Sequence, residues 1–426
     1  MKNIDGKTKV LGIVAEYNPW HKGHEFQLQE AMKISGAEYS VGIMNGNFTQ
    51  RGEPALLDKW TRTEMALKGG IDLVVELPFY YGCNSAEYFA KGATQIMINS
   101  GIITHIGFGS ESGDIDKIQK VAEVLADEPL EFKNILVDNL KKGISFPKAR
   151  MEAIKRFCGE DCANILMSPN NILAVEYVKQ LIKYNSDIRP VTIKRIGGGY
   201  HDKENSTVAS ATAIRSVLYE MVHSQLFGVG KEDLAEIKKM VPKSTFDILM
   251  REKDNLVFKD NDKYFDLLRH VIISGKELSD IFSVSEGIEN AFIKNVRNSS
   301  CCEELIGHVK SKRYTYAGIS RIAAQMVMNF KKCQEEPSYI RILGFTEKGR
   351  ELLKMIKKNV SCDVPLITNV NKFYGDISLD ARATDIFNII CGRNLYENSD
   401  FVRRPVIVKE KGGFWYNKSR LVLLTK

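Results

Sequence analysis

Seven histidines occur in this chain of 426 residues, and two of them, His21 and His24, stand three apart with Gly23 between them. Imidazoles at that spacing can aim ring nitrogens at one anion, and the glycine lets backbone approach it closely. The apolar run from Val10 to Ala15 reads as a short buried strand, and GHEFQLQEAMKIS from Gly23 onward reads as a helix. The histidines therefore fall at a strand-to-helix junction, where an α/β sheet binds phosphate on free N–H groups at the positive helix end. The chemistry that fits is attack on a phosphoryl group. Donors placed there stabilise charge developing on the α-phosphate, and losing one costs about 10²–10³ in rate. Neither imidazole has to serve as a base if the nucleophile is a carboxylate. A lone histidine near a strand end is more often structural; the pair with its glycine favours a ligand role.

A second stretch, Ser210-Ala211-Thr212-Ala213-Ile214-Arg215, lies just beyond RPVTIKRIGGGYHD. Ser210 and Thr212 can offer hydroxyls and free N–H groups at a helix start, and Arg215 adds positive charge one turn on. By itself the pattern is commonplace helix capping. Joined to His21-x-Gly23-His24 it supplies the other half of a triphosphate clamp, receiving the β- and γ-phosphates. A third feature is the segment from Leu305 to Gln334, with six Lys or Arg and neither Asp nor Glu, and with Tyr314 and Tyr316 in KSKRYTY. Basic charge interleaved with aromatics suits RNA phosphates and base stacking. A solvated helix face is the plainer reading of the same residues.

These groups need a scaffold that brings distant segments together. Near-continuous apolar runs at 10–17, 39–45, 71–78, 105–110 and 189–196 have the look of parallel strands buried on both faces, with helices between them. Thr61-x-x-Glu64 resembles a capping box, and Asn170 can cap NNILAVEYVKQLIKY. The expected fold is α/β, a Rossmann-like doubly wound parallel sheet in residues 1–225. A helical domain follows over 226–335, where DLAEIKKMV, DKYFDLLRHVIIS and GISRIAAQMVMNF have helical spacing, and then a small mixed α/β region over 336–426 with YIRILGF and EKGRELLKMIKKN.

Composition narrows the class. With 44% apolar and 27% charged residues the chain is an ordinary globular protein, and its net charge of +7 permits a polyanionic partner. No apolar run reaches the ~18 residues of a membrane span, and MKNIDGKTK has no secretory character, so a cytoplasmic location without membrane is expected. The eight cysteines form no CxxC pair and read as reduced thiols, with no metal site expected. GFGSESG is one residue too long for the dinucleotide fingerprint, no GxxxxGK[ST] exists, and Pro242 spoils KMVPKS as a KMSKS-type loop.

Taken together, Asn18-Pro19-x-His21-x-Gly23-His24 and Ser210-x-Thr212-x-x-Arg215 resemble the nucleotidylyltransferase superfamily, which cleaves ATP between its α- and β-phosphates. Ala211 departs from the commoner Ser-Ser-Thr form of the second motif. FTQRGEPA, DLVVELP, FGSESGD, SPNNILAVEY and KRIGGGYHD, in that order, resemble the bacterial tRNA(Met) cytidine acetate ligases. That resemblance implies activation of acetate with ATP to acetyl-adenylate and pyrophosphate, then transfer of the acetyl group to the wobble cytidine of elongator tRNA(Met), giving N4-acetylcytidine. It implies ATP contacts along Val14, Ala15, Glu16, Tyr17, Asn18, Pro19, Trp20, His21, Lys22, Gly23, His24, Glu25, Phe26 and Gln27, with His21 and His24 catalytic. Further ATP contacts are expected from Gly109, from Asn170 or Asn171, and from Arg195, Ile196, Ser210, Thr212 and Arg215. Mg2+ would ride on the ATP phosphates. Arg51 would meet acetate or tRNA, or form a surface ion pair, and Lys312, Arg313 and Arg321 would grip the tRNA backbone; DNA is not an expected partner.

Two other readings compete. One is a nucleotidyltransferase that joins a nucleotide to a phosphorylated small molecule; the extra 200 or so residues and the basic segment argue against it. The other is a tRNA-binding protein whose nucleotide site has decayed, against which the intact histidine pair stands.

Overall fold

The computed structural model describes residues 8–195, 209–223, 231–275, 277–359 and 364–409. Five parallel strands make up most of its sheet: β1 (Val10–Ala15), β2 (Tyr39–Asn45), β3 (Leu73–Leu77), β4 (His105–Ser110) and β5 (Arg189–Lys194). All five fall within the expected runs; β1 to β4 are largely buried, as strands covered on both faces must be, whereas β5 is the sheet's edge strand and buries chiefly Val191 and Ile193. Side chains alternate between two cores: Leu11 and Ile13 of β1 join one buried cluster while Val10 joins the other. Helix α1 (Lys22–Ser35) lies against β4 and β5 on the first face, and the helix Pro169–Lys183 packs on β4 from the second.

The C-terminal region enters this same sheet. β6 (Ile340–Phe345) pairs antiparallel with β3, and two-residue strands β7 (Leu366–Ile367) and β8 (Val406–Ile407) flank it, so the order is β5-β4-β1-β2-β3-β6-β7 with β8 also on β6. The strands of 336–426 thus extend the sheet and do not build a separate body. Apolar spacing marks β6 as a strand, but its partner is chosen by residues far away in sequence. Chief among them is a buried charge cluster. Lys59 lies 2.7 Å from Glu76 and 2.8 Å from Asp400, and Arg341 lies 3.2 Å from Glu76 and 2.5 Å from Asp400.

Between β5 and β6 the described elements are helices and short 3-10 turns, including Asp262–Ser274, Cys302–Val309 and Tyr316–Val327. Two expected helix starts move. Helix α2 (Lys59–Lys68) is capped by Asp58, whose carboxylate accepts from the Thr61 N–H, so Thr61 is already inside the helix. The 169–183 helix has Ser168 at its cap position, so Asn170 is also internal.

Candidate active site

The end of β1 and the start of α1 are joined by a tight loop. Tyr17 sits at φ 46°, the Asn18–Pro19 peptide is cis, and His21 takes the extended backbone of a cap at φ −142°. The His21 Nδ1 accepts from the Gly23 N–H at 3.0 Å, and the His24 Nδ1 accepts from the His21 N–H at 3.3 Å. This is a reciprocal capping box made of two imidazoles. An Nδ1 that accepts cannot carry the proton in a neutral ring, so each ring holds its hydrogen on Nε2. The rings stack at 3.8 Å between centroids, 25° from parallel. Burial pulls the His21 pKa down to about 4, and the charges of Arg195 and Arg215 push the same way. His24 is also lowered by burial, then by His21 and Arg195. At neutral pH both rings are neutral donors at a helix N-terminus.

Behind them, Tyr17 meets His24 edge-on at 5.1 Å and Trp20 lies 5.6 Å from it. Tyr17 and Trp20 are core residues, and Phe26 packs partly against the same cluster, so these three support the site from beneath. Lys22 is exposed and Glu25 lies in the first turn of α1.

The two sequence signatures meet in space. Arg215 donates to the Asn18 carbonyl at 2.8 Å and to the Thr212 Oγ1 at 3.2 Å, while Ser210 Oγ accepts from the Ala213 N–H at 3.2 Å and caps the helix Ala211–His223. Arg195 follows β5 at the same edge, close enough to depress both histidines. A Cβ at Gly109 would come within 3.3 Å of the Arg195 Cγ, so the absent side chain makes room for that arginine. Ile196 lies outside the described residues, as does the GGGYHD run after it.

Asn170 and Asn171 are brought to the edge but are engaged with protein. Asn170 Nδ2 donates to Glu111 at 2.7 Å, the Asn171 N–H donates to Glu111 at 2.9 Å, and Asn171 Oδ1 accepts from the Ser112 N–H at 3.1 Å. The cap of that helix is thus the Glu111 carboxylate from the loop after β4. Among the expected tRNA contacts, Lys312 and Arg313 are exposed, with Arg313 ion-paired to Glu286 at 2.9 Å. Arg321 does not share their face: it folds onto the loop after β2, 3.4 Å from the Gln50 carbonyl. Tyr314 is tied to Ser285 by its hydroxyl and serves that turn, whereas Tyr316 is 37% exposed.

Sequence reasoning missed Arg62. This fully buried guanidinium donates to the carbonyls of Leu57 at 3.0 Å, Glu16 at 2.6 Å, Asn45 at 3.1 Å and Gly46, tying the ends of β1 and β2 together. Burial lowers its pKa to about 10, still far above neutrality. A charged residue within KWTRTEMALK carries no local mark of burial.

The parallel sheet, the imidazole-capped helix and the arginines at its edge define a nucleotidyl transferase site, and comparison agrees. Residues 8–400 match the model of the HIGH Nucleotidyl Transferase family. The tRNA(Met) cytidine acetate ligase of Clostridium perfringens strain SM101 is 40% identical over 418 residues, spanning 94% of this chain and all of that protein. That of Clostridium acetobutylicum is also 40% identical, over 415 residues with the same coverage. A crystal structure of Thermotoga maritima TmcAL bound with α-thio ATP superposes with a TM-score of 0.82 at 35% identity, covering 94% of this chain and all of that one. The chain belongs to the HIGH nucleotidyl transferases and, within them, to the tRNA(Met) cytidine acetate ligase family.

Proposed function

We propose that this protein activates acetate with ATP and transfers the acetyl group to the wobble cytidine of elongator tRNA(Met). The observation that carries the reading is the pair of neutral imidazoles whose Nδ1 atoms are engaged by backbone N–H groups. Their Nε2–H groups, standing at the positive N-terminal end of α1, form a donor pair for an α-phosphate. Acetate oxygen attacks that phosphorus, the bond to the bridging oxygen breaks, and pyrophosphate leaves toward Arg215 and the helix start at Ser210 and Thr212. Arg195 neutralises phosphate charge or stacks on adenine. The amine of cytidine then attacks the acetyl carbonyl, and AMP departs.

Mg2+ carried on the ATP phosphates would neutralise part of their charge. Among the described residues no group of three or more His, Cys, Asp or Glu is placed to hold an ion, and Mg2+ commonly binds mainly through substrate phosphates and water. The ATP chemistry is assigned to residues 1–225, and the exposed Lys312 and Arg313 in the helical part are assigned to tRNA phosphates. No described helix is long and apolar enough to cross a membrane. Substrates such as ATP and tRNA support a cytoplasmic reaction. The test is acetate-dependent exchange of pyrophosphate into ATP, followed by acetylation of tRNA(Met). Exchange without acetate, or transfer from acetyl-CoA without ATP, would sink the adenylate route.

A further inference from the structure

The loop after β2 reaches across the carboxyl edge and is held from several sides. The Gln50 N–H donates to Glu16 Oε1 at 2.8 Å, and the Leu56 N–H donates to Asn18 Oδ1 at 2.8 Å. From the helical part, Ser320 Oγ donates to the Gly52 carbonyl at 3.1 Å and Arg321 reaches the Gln50 carbonyl. Gly52 has φ 83°, and a Cβ there would sit 2.3 Å from the Arg321 nitrogen, so α-helix and turn touch backbone to backbone. The turn is closed by the Thr49 N–H donating to the Glu53 carbonyl at 2.9 Å and the Glu53 N–H donating to Thr49 Oγ1 at 3.3 Å.

With its backbone fixed on both sides, Glu53 has a carboxylate that takes part in no ion pair and no hydrogen bond among the described residues. Charged and titratable groups face it from every neighbouring element: Glu16 at the end of β1, Arg51 in its own loop, Arg215 from the 211–223 helix and Lys259 before the 262–274 helix. Tyr264, Cys302 and Tyr316 face it from the three helices of the far side. Burial raises its affinity for a proton, with Arg215, Arg51 and Lys259 opposing that. Glu16, the neighbouring carboxylate, already commits an oxygen to the Gln50 amide.

Acetyl transfer needs such a group. The exocyclic amine of cytosine shares its lone pair with the ring, so it is a poor nucleophile and must lose a proton as it attacks. We propose that Glu53 is a catalytic residue of the second half-reaction. Its carboxylate takes one N4 proton as the nitrogen–acetyl bond forms; the bond from acetyl carbon to AMP oxygen breaks, and AMP leaves with that electron pair. The exposed ring of Tyr316 offers a stacking wall for the cytosine beside it. The inference rests on the acetyl-transfer reading above.

Glu53→Gln keeps the shape and removes the base. In single turnover from preformed acetyl-adenylate, transfer to tRNA(Met) should fall by about 10²–10⁴, and the rise of the wild-type rate with pH through a carboxylate titration should disappear. Acetate-dependent pyrophosphate exchange and trapping of acetyl-adenylate by hydroxylamine, which needs no such base, should fall far less, which also reports an intact fold. Glu53→Asp should recover part of the transfer rate. Transfer within about threefold of wild type, or exchange and trapping lost as deeply as transfer, overturns the role. Failure of the wild-type protein itself to acetylate tRNA would instead overturn the reading on which the role stands.

Discussion

Two sets of cations removed wholly or partly from solvent stand in this fold and are balanced in opposite ways. Lys59 and Arg341 face Glu76 and Asp400, two charges against two, all with side chains at most 5% exposed. At the sheet edge Arg62 rests on carbonyl oxygens, and Arg215 on one carbonyl and one hydroxyl. A carboxylate partner cancels a cation's charge, whereas a carbonyl dipole fixes its position and leaves the charge to act on a third body. The first set is closed and holds strands together. The second retains field for an anion.

Breaking the closed set should have the largest effect. Arg341→Met leaves Glu76 and Asp400 short of a cation, which should cost about 3–5 kcal/mol of stability in chemical denaturation; a change under about 1 kcal/mol would mean that the cluster is not what fastens β6.

The imidazoles should show their burial as pH dependence. His21 titrates near 4 in the fold against about 6.5 unfolded. Between those values the unfolded chain binds a proton that the folded one does not, so stability is present above about pH 6.5 and lost as pH falls toward 4. The full term is on the order of 3 kcal/mol for His21, with His24 acting in the same direction. His21→Asn, which still caps the helix, should flatten that slope in denaturation at pH 7 and pH 4.5.

Opening the second set should spare stability and damage chemistry. Arg215→Ala should slow pyrophosphate exchange by about 10–150-fold, the equivalent of ~1.5–3 kcal/mol for a charged hydrogen bond. Transfer from preformed acetyl-adenylate should suffer less, because pyrophosphate is gone by then. Equal damage to both steps would move Arg215 away from the leaving group.

The smallest expected effect sharpens the contrast at the surface. Lys312→Glu with Arg313→Glu should weaken tRNA binding. The slope of log affinity against log salt should flatten by about 0.7–0.9 for each phosphate no longer neutralised, with exchange little changed. An unaltered slope would return this turn to an ordinary solvated surface.

Much of this was legible beforehand where burial is a local property. Strands β1 to β4 announce themselves as largely apolar runs, edge strand β5 more faintly, and the histidine pair falls at the junction their order requires. What stayed hidden depends on partners distant in sequence. Asn170 reads as a cap because nothing nearby tells that Glu111, from the loop after β4, fills the role. Arg321 reads as surface charge because its partner, the loop at Gln50 and Gly52, is more than half the chain away. Arg62 and β6 were obscure for the same reason: a charge that binds carbonyls, or a strand that joins an earlier sheet, has a local pattern shared with many that do neither.

The late arrival of β6 has a consequence for how the molecule comes into being. Leu73 of β3 pairs with Phe345, so an apolar strand edge with Lys59 and Glu76 beneath it is synthesised long before anything can cover it. Open edges of that kind invite pairing with other chains. Until Asp400 has left the ribosome, the nascent chain carries that edge with its buried charges only partly matched. The same geometry makes the N-terminal portion a poor module for fusion or truncation, since its sheet is continued by a strand more than 200 residues further along the chain than β3.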